Sequence, residues 1–122
     1  MQSIISLLYI GLGGFIGAIS RWGVSQIIRK STDDGAFPLP TLIVNLVGCL
    51  GIGVAYSIWE NNNSAKLIII IGFLGGFTTF STFAYETLSL IKSGNTITAI
   101  SYVTLSSVIG VFLVWVGMKL NA

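Results

Sequence analysis

The stretch from Gly75 to Phe83, Gly-Gly-Phe-Thr-Thr-Phe-Ser-Thr-Phe, puts two glycines, four hydroxyl side chains and three phenyl rings into nine residues. Paired glycines and clustered Ser and Thr weaken a helix and invite a break. At such a break, freed carbonyls can ligate a cation and freed N–H groups can face an anion. Phe80 and Phe83 are three apart, so they share a helical face, with Glu86 and Thr87 on its next turn. Two readings stand for these rings: contact with lipid or core, or presentation of their positive edges to an anion without gripping it. Glu86 is either a snorkelling residue at the helix end or a member of the same polar track. Asn45 has Thr41 one turn before it and Gly48 and Cys49 one turn after. Its carboxamide either bonds a neighbouring helix or donates, uncharged, to a dehydrated anion. Tyr102 and Ser106 share a face, with Ser107 beside them. Arg21 either snorkels to the headgroups or sets a positive potential at an aqueous vestibule.

These groups are carried on four hydrophobic stretches, at about 4–28, 39–59, 67–91 and 96–119, each long enough to cross a bilayer core. Only 8% of the 122 residues are charged and 53% are hydrophobic, against about 25% charged in ordinary soluble chains. A water-soluble enzyme is thereby excluded, because ten charges cannot cover a surface of this size. The predicted fold is a single all-α integral membrane domain over 1–122, with its third span broken near the middle. Non-helical backbone at that depth must be buried in protein or line a water-filled cavity. The start, Met1-Gln2-Ser3, lacks the basic residues of a signal peptide. Asp33, Asp34, Gly35 and two prolines mark the first connection as a turn.

The inventory excludes more. With no His and one Cys, Cys49, a zinc site of His and Cys ligands and an intramolecular disulfide are both out of reach; Cys49 reads as a small packing residue. Gly11 to Gly17 imitates a dinucleotide fingerprint, but Ile16 takes the third glycine's place and no strand frames it. Neither nucleotide nor nucleic acid is expected as a partner, since a net charge of +2 is small and scattered.

An even number of spans puts both termini on one side. That side holds Lys66 and Lys119, the other Arg29, Lys30 and Lys92, with Arg21 leaning toward it. The bias is slight, leaving open a single weakly signalled orientation or insertion both ways with pairing of inverted copies. A chain this short contains no inverted repeat of its own, and two antiparallel copies would supply one. Gly13 and Gly17, Gly14 and Ala18, and Ser106 and Gly110 are small-xxx-small pairs suited to close helix approach and oligomerisation.

Taken together, Gly13-Gly14-Phe-Ile-Gly17-Ala18-Ile-Ser-Arg21, Thr41-Leu-Ile-Val-Asn45-Leu-Val-Gly48 and Gly72-Phe-Leu-Gly75-Gly76-Phe-Thr78-Thr79-Phe80-Ser81-Thr82-Phe83 resemble the Fluc (CrcB) family of small fluoride channels. The resemblance spans essentially the whole chain, and its last segment is the most specific. It implies an antiparallel, dual-topology homodimer in the plasma membrane, with two pores for passive fluoride export that lowers cytoplasmic fluoride. Phe80 and Phe83 would be the pore rings and Asn45 the pore amide. Ser81, Thr82, Glu86, Tyr102, Ser106 and Thr41 would line the track, and Arg21 the vestibule. Gly75 and Thr78 would offer backbone carbonyls to a structural sodium ion on the dimer axis. Pro40 stands where the family has glycine, which bears on the start of the second helix, and Leu74 where a cysteine is frequent.

A proton-coupled exporter of the small multidrug resistance type resembles this chain in size and dual insertion. Such exporters rely on a carboxylate in the first span, which has none here. A non-transporting, holin-like subunit leaves the mid-membrane polar residues without a purpose.

Overall fold

The computed structural model describes residues 3–32 and 35–121. Met1 and Gln2 of the start, and Asp33 and Asp34 of the expected turn, lie outside the described residues. Four helical spans are long and apolar enough to cross a membrane: Ile4–Ser31, Leu39–Trp59, Asn63–Lys92 and Thr96–Lys119. The chain is an all-α, multi-pass membrane protein, and no strand occurs among the described residues.

Local chemistry explains the helix ends. Ser3 caps the first helix by accepting the Ser6 N–H at 3.1 Å. That helix continues to Ser31, three residues past the sequence estimate. Ser31 and Thr32 hydroxyls donate to the Ile27 and Ile28 carbonyls at 3.0 and 2.9 Å, and Arg29 and Lys30 complement the negative end of the helix. The second helix begins at Leu39, with Pro40 in its first turn, where a missing N–H costs nothing. The glycine-to-proline departure therefore leaves the helix start intact. Between the third and fourth spans the chain turns at Gly94, whose φ of +87° favours glycine.

The third span has two arms. In the leading arm Asn62 Oδ1 caps the first turn through the Ala65 N–H at 3.0 Å. Lys66–Leu74 is then wound wider, as a π-helix, and the Gly75 N–H reaches back five residues to the Ile70 carbonyl. Four consecutive isoleucines, Ile68 to Ile71, sit in that wide winding, where β-branched side chains are less crowded than in an α-turn. Gly75–Phe77 closes the arm as a last α-turn. Thr78 is extended (φ −86°, ψ 159°), and the trailing arm runs over Ser81–Lys92.

The break thus falls at Thr78 to Phe80, while the glycine pair before it stays helical. Gly76 meets a different demand: a Cβ there would lie 2.6 Å from the Gly14 carbonyl oxygen. The first helix packs along the leading arm backbone to backbone. A Cβ on Gly13 would overlap the Ile68 carbonyl oxygen, and one on Gly17 the Phe73 carbonyl oxygen. In the second and fourth helices, Gly53 and Gly117 permit a similar approach, to the Val114 and Leu50 carbonyls. The small residues Gly13 and Gly17, read from sequence as aids to oligomerisation, are used here within one subunit.

Two small apolar clusters flank the break. One joins Leu42, Leu90, Ala99 and Tyr102; the other joins Ala55, Ile70 and Leu74. Leu42 and Ala55 are separated by roughly 20 Å along the second helix, and the functional groups lie between them.

Candidate functional site

Asn45 of the second helix reaches the break directly. Its Nδ2 donates to the Thr79 carbonyl and its Oδ1 accepts the Thr79 N–H, both at 2.9 Å. This two-point clamp fixes the one residue that the flanking helices leave without regular hydrogen bonds. A primary amide has two N–H donors, so one remains uncommitted on a residue that lines the groove. Gly48, one turn on, has no side chain because Thr78 needs the room: a Cβ there would overlap Thr78 Cγ2. Thr78 in turn folds its hydroxyl back to the Leu74 carbonyl at 2.9 Å.

The hydroxyl of Thr79 organises the start of the trailing arm. Its Oγ1 accepts the Thr82 N–H at 3.2 Å, donates to Thr82 Oγ1 at 3.1 Å and lies 3.5 Å from Ser81 Oγ. The sequence reading gave Thr79 no role. The N–H groups of Phe80, Ser81 and Phe83 have no acceptor among the described residues, leaving a cluster of neutral donors at the positive end of the trailing helix.

A cavity of about 380 Å³ runs along the break. It brings together Asn45, Gly75, Thr78, Thr79, Phe80, Phe83 and Ser106, with Gly48 and Cys49 on its floor. No lining residue carries a formal charge. The Phe80 and Phe83 rings are 5.7 Å apart and tilted by 43°; Phe80 is 78% exposed in the isolated subunit, so one face of the groove has no covering. Ser106 Oγ is buried without a hydrogen-bond partner, an arrangement costing about 1–3 kcal/mol unless a ligand or water satisfies it.

The aromatic series continues from Phe83 to Tyr102, 5.0 Å away, and to Phe37, 5.7 Å further in an edge contact. Tyr102 is fully buried, and its hydroxyl donates to Glu86 Oε1 at 3.0 Å. Glu86 faces a second cavity of about 510 Å³ at the end of the bundle, which Arg29 also lines. Arg21 lines a third, of about 250 Å³, with Gln26, Arg29, Thr41, Thr79 and Thr82. Cationic side chains therefore line the second and third cavities while the groove along the break holds only neutral groups, and Thr79 borders the groove and the third cavity. Of the residues expected to form one track, Ser81 lies beside Thr79 without lining these cavities, and Glu86 and Tyr102 form a bonded pair next to the groove.

The Gly75 and Thr78 carbonyls were expected to hold a cation. Their usual partners, the N–H groups four residues on, belong to Thr79 and Thr82, and both are engaged elsewhere, by Asn45 Oδ1 and Thr79 Oγ1. Two unengaged carbonyl oxygens suit a hard cation such as sodium, which takes neutral oxygen ligands. On this observation the donor set fits the ion.

The family model for CrcB-like protein, Camphor Resistance (CrcB), matches residues 8–118. The chain belongs to the CrcB family. Among its CrcB relatives is a protein of Chloroflexus aurantiacus named fluoride-specific ion channel FluC, 41% identical over 95% of this chain and 94% of the relative. Proteins with the same name from Nitratidesulfovibrio vulgaris and Dehalococcoides mccartyi are 36% and 38% identical, over 97% and 95% of this chain and 95% and 92% of the relatives. The CrcB match takes in every residue of the site, from Arg21 to Ser106.

Proposed function

We propose that this protein is a fluoride-specific ion channel, not an enzyme, through which fluoride leaves the cell down its gradient. The observation that carries the reading is the uncharged groove at the helix break. Fluoride is small and strongly hydrated, so its passage needs many neutral donors to replace water, whereas a fixed cation at the narrowest point would hold it too long. The remaining Asn45 N–H, the Ser106 hydroxyl and the ring edges of Phe80 and Phe83 are such donors. Arg21 and Arg29 would concentrate anions at a vestibule. Ser81, Thr82, Thr41, Tyr102 and Glu86 would extend the track, with the Tyr102 hydroxyl engaged by Glu86. The relatives' name supports the same ion.

The working unit in this reading is an antiparallel homodimer of dual topology, seated in membrane lipid and carrying two pores. Support comes from the groove's uncovered face and the nearly balanced basic residues at the two membrane surfaces. The Gly75 and Thr78 carbonyls, two from each subunit, would hold a sodium ion on the dimer axis; bound there, sodium supplies a fixed positive charge that joins the subunits. An exporter of the small multidrug resistance type is not favoured, as the first span offers no carboxylate to exchange protons.

Proteoliposomes loaded with fluoride or chloride test the reading. Purified protein is expected to release fluoride rapidly, recorded with a fluoride electrode, and to release little chloride under an equal gradient. Equal leakage of both ions would overturn the assignment.

A further inference from the structure

The two carbonyls assigned to sodium differ from their neighbours in that side chains take the N–H groups due to them. The extended Thr78 parts Gly75, Gly76 and Phe77 alike from the N–H groups four residues on; no side chain takes the donors of Gly76 and Phe77. At Gly75 and Thr78 a side chain does compete. The Thr79 N–H, due to the Gly75 carbonyl, is taken by Asn45 Oδ1 at 2.9 Å. The Thr82 N–H, due to the Thr78 carbonyl, is taken by Thr79 Oγ1 at 3.2 Å.

We infer that the Thr79 hydroxyl is a positioning group for the cation site, keeping the Thr78 carbonyl available by capturing the Thr82 N–H. The inference rests on the sodium reading above. Its physical basis is competition at low dielectric. An unpaired N–H within the membrane is costly, and without the hydroxyl the acceptor that continuing the helix would supply is the Thr78 carbonyl, four residues back. Recapture would extend the trailing helix toward the break and occupy the oxygen that sodium needs. The same hydroxyl donates to Thr82 Oγ1, and Thr79 borders both the groove and the Arg21 cavity. One group thereby ties the geometry of the anion path to the cation site.

Sodium titration of purified protein tests this, at constant ionic strength with N-methylglucamine as the replacement cation. The readouts are thermal stabilisation in detergent and fluoride efflux from proteoliposomes. Wild type and Thr79→Ser, which keeps the hydroxyl, are expected to half-saturate at similar sodium concentrations. Thr79→Val is expected to need about tenfold more sodium, the loss of one net hydrogen bond, and to regain flux when sodium is raised. Thr79→Ala serves if the valine variant does not fold, with the same expected displacement. Half-saturation of the hydroxyl-free variant at the wild-type concentration would overturn the role of Thr79 alone. Indifference of the wild-type protein to sodium would overturn the sodium reading and this inference with it.

Discussion

Asn45 and Phe80 both border the groove, but they are tied to the rest of the molecule very differently. Asn45 makes two 2.9 Å hydrogen bonds to one backbone unit at the break, whereas Phe80 is 78% exposed. Asn45→Ala should therefore lose stability as well as flux. Leaving the N–H and carbonyl of Thr79 unsatisfied costs about 2–4 kcal/mol, and detergent-phase thermal unfolding should show it. Phe80→Ile should strip most of the fluoride efflux while moving the unfolding temperature less than Asn45→Ala does, because few contacts within the subunit are lost. A Phe80→Ile protein that conducts like wild type would remove the ring from the pathway. Asn45 and the two rings stand out in the sequence by type and spacing, since amides and clustered hydroxyls are expensive within hydrocarbon. Thr79 is one of those hydroxyls but is not told apart from the others, because the partner that clamps its backbone lies 34 positions away.

Among the elements, the third span carries the greatest consequence. It is locked against the first helix through backbone contact at Gly13 and Gly17, where an added methyl meets fixed carbonyl oxygens instead of a yielding side chain. Gly13→Ala and Gly17→Ala should each destabilise the fold by about 1–3 kcal/mol, the usual cost of overpacking. Gly23→Ala, in the same helix with nothing within 4 Å of the new Cβ, should be neutral or gain up to about 1 kcal/mol in helix propensity. Unfolding temperatures of the three variants would rank them; a penalty at Gly23 equal to that at Gly13 would contradict the packing described. The extent of the spans was legible from where charges and turn residues interrupt the apolar runs. The π-winding of Lys66–Leu74 and the exact seat of the break were not. Glycine has the same letter whether it loosens a helix or lets another backbone approach, and only the position of the first helix separates these uses.

At the scale of the whole molecule, one subunit leaves its groove partly open and most of its apolar side chains outward. If inverted copies pair, both orientations must be present in the membrane. With Cys49 replaced by alanine, single cysteines at Lys92 and at Lys119 should each be modified by a membrane-impermeant thiol reagent from both sides of the membrane. Labelling of each position from one side only would defeat dual topology. By itself the sequence determined the membrane solvent, the number of spans, the family and the residue types available to an anion, because hydropathy and the scarcity of charge are properties of the chain read locally. The tertiary structure decided what those residues do with their hydrogen bonds. Asn45 clamps Thr79, Thr79 caps the trailing arm and the Gly75 and Thr78 carbonyls lose their donors to side chains, since each partner depends on which helices lie side by side.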